Sequence, residues 1–240
     1  MRTLPRAAAL ATAVIFAAAP ALAVSPASAA TATYSVQYLT LGNGHKVVAR
    51  WNPCRTHTYK VNLAAVPTAT RTTVLAETQA ALRVLATKTG ISFTYKGATT
   101  EVPRVGSYAT QSADIIVAFT TPLKTNYLSS TADARGGNAA STRATTSGTT
   151  VTYTAAIVKG YVVVDTAKLL RSYKAGFGTG VRRGNMMMHE LAHVVGLNHV
   201  GNVRLLMNPL LSGYSPNGYA VGDAAAFTVV GSKAGCINGM

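Results

Sequence analysis

The run His189-Glu190-Leu191-Ala192-His193-Val194-Val195-Gly196-Leu197-Asn198-His199 constrains this 240-residue chain more than any other feature. On an α-helix the four-residue spacing of His189 and His193 puts their imidazoles about 40° apart on one face, one turn from each other. His199 cannot join them on a continuous helix, where it would lie about 9 Å further along the axis and roughly 120° away. If the three histidines act together, the helix must end between His193 and His199. Gly196 stands where it can do so. Glycine adopts positive φ at little cost, so it can stop a helix and turn the chain back.

Two imidazoles one turn apart can grip one tetrahedral ion, and zinc suits nitrogen donors of this kind. The expectation is one zinc, held by His189, His193 and His199. Glu190 adjoins the first ligand without sharing its face. It can reach over the metal to a bound water and take its proton. Met207 follows in the segment Leu206-Met207-Asn208-Pro209. A methionine there can form a soft apolar floor under the imidazoles.

The start of the chain has a different character. Arg2 and Arg6 precede an apolar stretch from Ala7 to Ala19, Pro20 breaks it, and the small-x-small sites Ala21-Leu22-Ala23 and Ala27-Ser28-Ala29 follow. This layout is that of a secretory signal peptide over residues 1–29, and the stretch is too short and broken to anchor in a membrane. Residues 30–44 read as a short spacer ending in the turn Gly42-Asn43-Gly44, and residues 45–240 as one catalytic domain. Export implies an oxidising compartment, so the two cysteines, Cys54 and Cys236, are expected to form a disulfide.

Without residues 1–29 the basic residues fall to 20 against 7 acidic ones, a net charge of +13. The lysines and arginines are scattered, with no run longer than Arg182-Arg183. Nucleic-acid readers cluster their charge, so no specific nucleic-acid partner is expected. Weak attraction to an anionic cell wall is compatible with the charge. No later segment is long and apolar enough to span a membrane.

Strands are expected over Lys46–Trp51, Thr56–Asn62, Ile91–Tyr95, Asp114–Phe119 and Tyr161–Asp165. Helical periodicity runs from Thr70 to Thr89, with Val74, Leu75, Thr78, Leu82 and Leu85 on one face and Gly90 as the stop. A second helix, Gly184–Leu197, carries the histidine motif, and Val221–Val230 forms a last one. Ser129–Thr150, rich in Thr, Ser, Gly and Ala, is a long loop or an exposed edge hairpin.

The histidine run and the methionine segment resemble the metzincin pattern, H-E-x-x-H-x-x-G-x-x-H followed by a methionine turn. Within it the chain is most similar to a matrixin-like zinc peptidase of the secreted bacterial type. Arg50-Trp51, Thr58-Tyr59, Thr89-Gly90-Ile91-Ser92-Phe93 and Ala113-Asp114-Ile115 extend the likeness over most of residues 45–240. The resemblance implies an α/β, zincin-like fold. Its parts are a twisted, mixed, mostly parallel five-stranded sheet with two long helices, the active-site helix, and a small C-terminal subdomain with a final helix. It also implies a cleft along an antiparallel edge strand, for which Val151–Val158 is the candidate. The implied activity is that of a secreted, monomeric zinc metalloendopeptidase. It would act on peptide or protein substrates, with Glu190 as general base to a zinc-bound water.

The chain also departs from that family. It has no Pro-Arg-Cys-Gly segment to cover the metal, and no tyrosine two residues after Met207 to serve as a further ligand. His45 and His57 read as surface residues rather than ligands of a second zinc. The carboxylates Glu77, Glu101, Asp114, Asp133, Asp165 and Asp223 are dispersed, so calcium (Ca2+) is possible in principle but not indicated. Asp223 reads as a helix cap or a structural partner of the methionine turn. The alternative function is a secreted basic protein that binds cell wall or polyanions and keeps a vestigial zinc site. Against it, a purely structural zinc needs no base such as Glu190 and usually takes four protein ligands.

Overall fold

A computed structural model describes residues 34–129 and 131–238. The expected signal peptide lies outside the described residues. The strands are β1 (Tyr38–Thr40), β2 (Lys46–Arg50), β3 (His57–Asn62), β4 (Phe93–Ala98), β5 (Ile115–Thr120), β6 (Ala134–Ser147) and β7 (Thr150–Asp165). The helices are α1 (Thr68–Thr89), α2 (Thr166–Ser172), α3 (Arg183–Val194) and α4 (Val221–Val230).

The strands form one mixed sheet in the order β1-β2-β7-β5-β3-β4, with β6 also paired to β7. The pairs β2/β7, β5/β7, β3/β5 and β3/β4 are parallel, while β1/β2 and β6/β7 are antiparallel. The mixed α/β architecture is the one expected, but the sheet has seven strands rather than five.

Both additional strands have physical reasons to escape a sequence reading. Tyr38–Thr40 spans only three residues of the segment read as a spacer. It pairs with Lys46–Val48 around the Gly42-Asn43-Gly44 turn. β6 is a long exposed strand of small and polar residues, with no apolar alternation to betray it. It forms the edge hairpin with β7, which settles the two readings of Ser129–Thr150. It also corrects the edge strand. Val151–Val158 lies in β7, an interior strand that pairs with β6 on one side and with β2 and β5 on the other.

Apolar sequence puts β5 in the middle of this sheet. All six of its residues are buried, as in a strand covered on both faces. Ile115, Val117 and Phe119 belong to the main core, while Ala118 packs with Tyr127, Leu128, Tyr161 and Val163 on the opposite face. The main core also takes Val74, Ala81, Leu82 and Leu85 of α1, at the spacing that the 3.6-residue period dictates. α1 ends at Thr89, where the Gly90 N–H donates to the Ala86 carbonyl. α1 and the active-site helix α3, the two longest helices, pack against each other. Buried Arg183 opens α3, its Nε 3.0 Å from Oε2 of Glu77 on α1.

His57 is a further correction, because it is buried rather than at the surface. It opens β3 under Trp51, with ring centroids 4.4 Å apart, and its Nε2 bonds to the Asn52 carbonyl at 2.9 Å. Burial lowers its pKa from the ordinary histidine value.

Cys54 and Cys236 form the expected disulfide, with Cα atoms 5.4 Å apart and a sequence separation of 182. Asn52 reinforces the closure, its Nδ2 donating to the Ile237 carbonyl at 2.8 Å and its Oδ1 accepting from the Ile237 N–H at 3.2 Å. Because the closed loop is long, the double variant Cys54→Ser/Cys236→Ser should lose roughly 2–5 kcal/mol of stability. Denaturant unfolding of the two proteins measures it, and coincident midpoints would contradict the expectation.

Candidate metal centre

α3 carries His189, Glu190 and His193, and all of it except His193 is buried. It stops at Val194, three residues earlier than expected, because the chain is already turning at Val195. Gly196 then adopts φ 97°, and a Cβ there would stand 2.7 Å from the Ala49 carbonyl oxygen. The position therefore excludes side chains on two grounds, backbone conformation and space. The turn brings His199 back over the helix.

The three imidazoles meet at their Nε2 atoms. These lie 3.0 Å apart for His189 and His199, 3.2 Å for His189 and His193, and 3.0 Å for His193 and His199. Tetrahedral zinc with bonds of 2.0–2.1 Å would hold its nitrogens about 3.3 Å apart. The spacing thus fits a single ion with one position left open.

Two tautomers are set by the surroundings. His189 Nδ1 donates to the Leu206 carbonyl at 2.6 Å, and His193 Nδ1 to the Leu197 carbonyl at 2.7 Å. With Nδ1 carrying the proton, each Nε2 lone pair is free to face the centre. Burial drives the pKa of both histidines down to about 4, so both are neutral at physiological pH, as ligation requires. The donor set fits zinc on each of these counts. His189, His193 and His199 are, among the described residues, the group of metal-ligating side chains close enough to share an ion.

Glu190 is buried beside this centre. Its Oε2 accepts a hydrogen bond from the Gly136 N–H at 2.5 Å. A Cβ on Gly136 would come within 2.0 Å of the Glu190 carbonyl oxygen, so only glycine lets β6 approach α3 this closely. Burial raises the Glu190 pKa, while His193, the Gly136 bond and Arg135 act in the opposite direction.

The methionine turn supports the centre from the other side. Leu206 and Met207 are buried in the main core, and Leu206 is the residue whose carbonyl orients His189. The turn is held by Asp223 of α4. Its Oδ2 accepts from the Leu206 N–H at 2.9 Å and the Ala220 N–H at 3.0 Å, and its Oδ1 from the Met207 N–H at 3.2 Å. Asp223 is therefore both a cap for α4 and the partner of the methionine turn. Asp223→Ala would leave buried N–H groups without acceptors, each costing roughly 1–3 kcal/mol. It should also loosen zinc, because the Leu206 carbonyl loses its anchor. Chemical unfolding and a zinc competition assay read the two effects, and a fully stable variant with parental zinc affinity would contradict this role.

A cleft of about 620 Å³ opens over the three histidines and Glu190. Pro209 at the end of the methionine turn lines it, together with Leu210 and Leu211. Tyr219 is buried away from solvent, its hydroxyl donating to the Met188 carbonyl at 2.7 Å. Its other walls include Asp133 just before β6, Arg135 and Gly136 of β6, Tyr173 after α2, and Val181, none of which the sequence marked as part of the site. Tyr173 donates to Asp133 Oδ2 at 3.0 Å, and Lys168 pairs with Asp133 Oδ1 at 3.2 Å. The Gly136-Gly137 pair, inside a tract of small polar residues, was the signal that the backbone there must come close to something.

A three-histidine centre on a broken helix, with an adjacent carboxylate and an open edge strand beside it, defines a metallopeptidase-like site. The sequence profile of the matrixin family, peptidase family M10, matches residues 50–224, and the chain belongs to that family. A search of curated proteins finds no match.

Proposed function

We propose that this chain is a secreted zinc metalloendopeptidase in which Glu190 is the general base. The observation that carries the reading is the convergence of three Nε2 atoms within 3.2 Å beside the buried Glu190 carboxylate, at the base of an open cleft. Zinc held there supplies a Lewis acid that polarises a carbonyl and makes water more acidic. The chain's own residues do the rest. The open edge of β6 offers backbone groups on which an extended peptide can add itself as a strand. Glu190, kept in place by the Gly136 N–H, takes the proton of the attacking water and returns it to the leaving amine.

Secretion is supported by the N-terminal pattern of Arg2, Arg6, the apolar stretch and two small-x-small sites, and by the disulfide between Cys54 and Cys236. The protein acts as a monomer on peptides or proteins, and its net positive charge favours weak association with anionic cell wall. Incubation of the purified protein with a random peptide library, read by mass spectrometry, tests the activity. Internal cleavage at a consistent residue pattern is the expected result. A library left intact by zinc-loaded protein would refute the proposal.

A further inference from the structure

His199 differs from the other two ligands in how it is held. His189 and His193 each have a ring Nδ1 bonded to a backbone carbonyl. His199 is exposed, and its ring contacts among the described residues are with those two imidazoles. Its position therefore depends on the backbone of the turn that carries it. That turn, Gly196 to Asn198, leans on a segment far upstream. Gln37 N–H donates to the Gly196 carbonyl at 2.7 Å, and Asn198 N–H donates to the Ser35 carbonyl at 2.9 Å. Asn198 Nδ2 donates to the Val36 carbonyl at 2.9 Å. Val36 and Leu197 form an antiparallel bridge with both side chains buried in the main core. Asn138 of β6 closes the arrangement, its Nδ2 donating to Gln37 Oε1 at 2.8 Å and to the His193 carbonyl at 3.0 Å.

We infer that Ser35, Val36 and Gln37 form a positioning strap for the third zinc ligand, so that zinc affinity depends on a segment upstream of the matrixin-like region. The strap lies outside residues 50–224, the part that the family profile covers. It follows the expected signal peptide by only a few residues. Processing after Ala23 or Ala29 leaves it intact, whereas any trimming that passes Gln37 removes it. The N-terminal boundary of the mature protein thereby sets the quality of the metal centre. Backbone partners of this kind act like other outer-shell contacts, whose loss typically weakens metal binding about 10- to 100-fold.

The inference rests on the proposed zinc site, and three proteins test the two separately. One chain begins at Ala30, a second begins at Tyr38 and so keeps β1 but lacks the strap, and the third is the Ala30 chain carrying Asn198→Ala. Zinc affinity is measured by competition with a chromophoric chelator, and unfolding of the zinc-free proteins is followed by circular dichroism. The expected result is zinc binding about 10- to 100-fold weaker in the Tyr38 chain and about tenfold weaker in Asn198→Ala. The zinc-free Asn198→Ala protein should unfold at the parental midpoint. Zinc affinity within about twofold of the parent in the altered chains would overturn the strap's role. If the Tyr38 chain does not fold, Asn198→Ala alone decides. If the Ala30 chain itself binds no zinc, the proposed function fails instead.

Discussion

Glu190→Gln should keep its zinc and lose peptide cleavage by at least about 10²–10⁴-fold, the range typical of removing a general acid–base group. The side chain is not one of the three converging ligands, so metal content should not change. The amide is nearly isosteric, and its oxygen can still accept the Gly136 N–H that the carboxylate accepts now. What it cannot do is take a proton from water near neutral pH. Steady-state cleavage of a reporter peptide, with zinc measured on the same sample, checks the separation. Near-parental cleavage with zinc bound would place the base elsewhere.

His199→Ala should act on the metal itself. It removes one of the three Nε2 donors and leaves a pair from a single helix turn. Zinc affinity should fall by more than the roughly 100-fold that marks the upper range for outer-shell partners. Cleavage should fall with it at any limiting zinc concentration. The fold should survive, because His199 is exposed while the surrounding Leu197, Val200, Leu206 and Met207 remain in the core. Elemental analysis after gel filtration tests this, and a variant that retains a full equivalent of zinc would remove His199 from the centre. In the Glu190 variant activity falls while metal stays, and in the His199 variant the two fall together.

Side chains that need a fixed local spacing were legible in the sequence. His189 and His193 on one helical face, the break at Gly196, the return of His199 and the final helix Val221–Val230 all follow from helical periodicity and glycine's backbone freedom. The apolar face of α1 follows from the same period, and the all-buried β5 from an unbroken apolar run. The pairing of Cys54 with Cys236 followed from the count of two together with the expected export. What stayed hidden was structure stabilised by long-range contacts. β6 has no apolar pattern because its outer edge is exposed, and its essential residue is Gly136, whose reason lies in the backbone of Glu190. Tyr173 and Val181 flank a glycine-rich segment with no period to read. Asn185 of α3 fixes that segment, its Nδ2 donating to the Gly178 carbonyl at 2.6 Å, the Gly180 carbonyl at 2.9 Å and the Pro216 carbonyl at 3.2 Å. The strap from Ser35 to Gln37 read as spacer, because only its partners at Gly196 and Asn198 give it a purpose.

Metal reconstitution tests the central claim most directly. The protein is stripped of metal with a strong chelator, shown to remain folded, and titrated with zinc while cleavage of a reporter peptide is followed. The expected result is no cleavage in the stripped protein and a linear return that breaks at one equivalent of zinc per chain. Full cleavage by the metal-free protein, or none at one equivalent, would contradict a single catalytic zinc held by His189, His193 and His199.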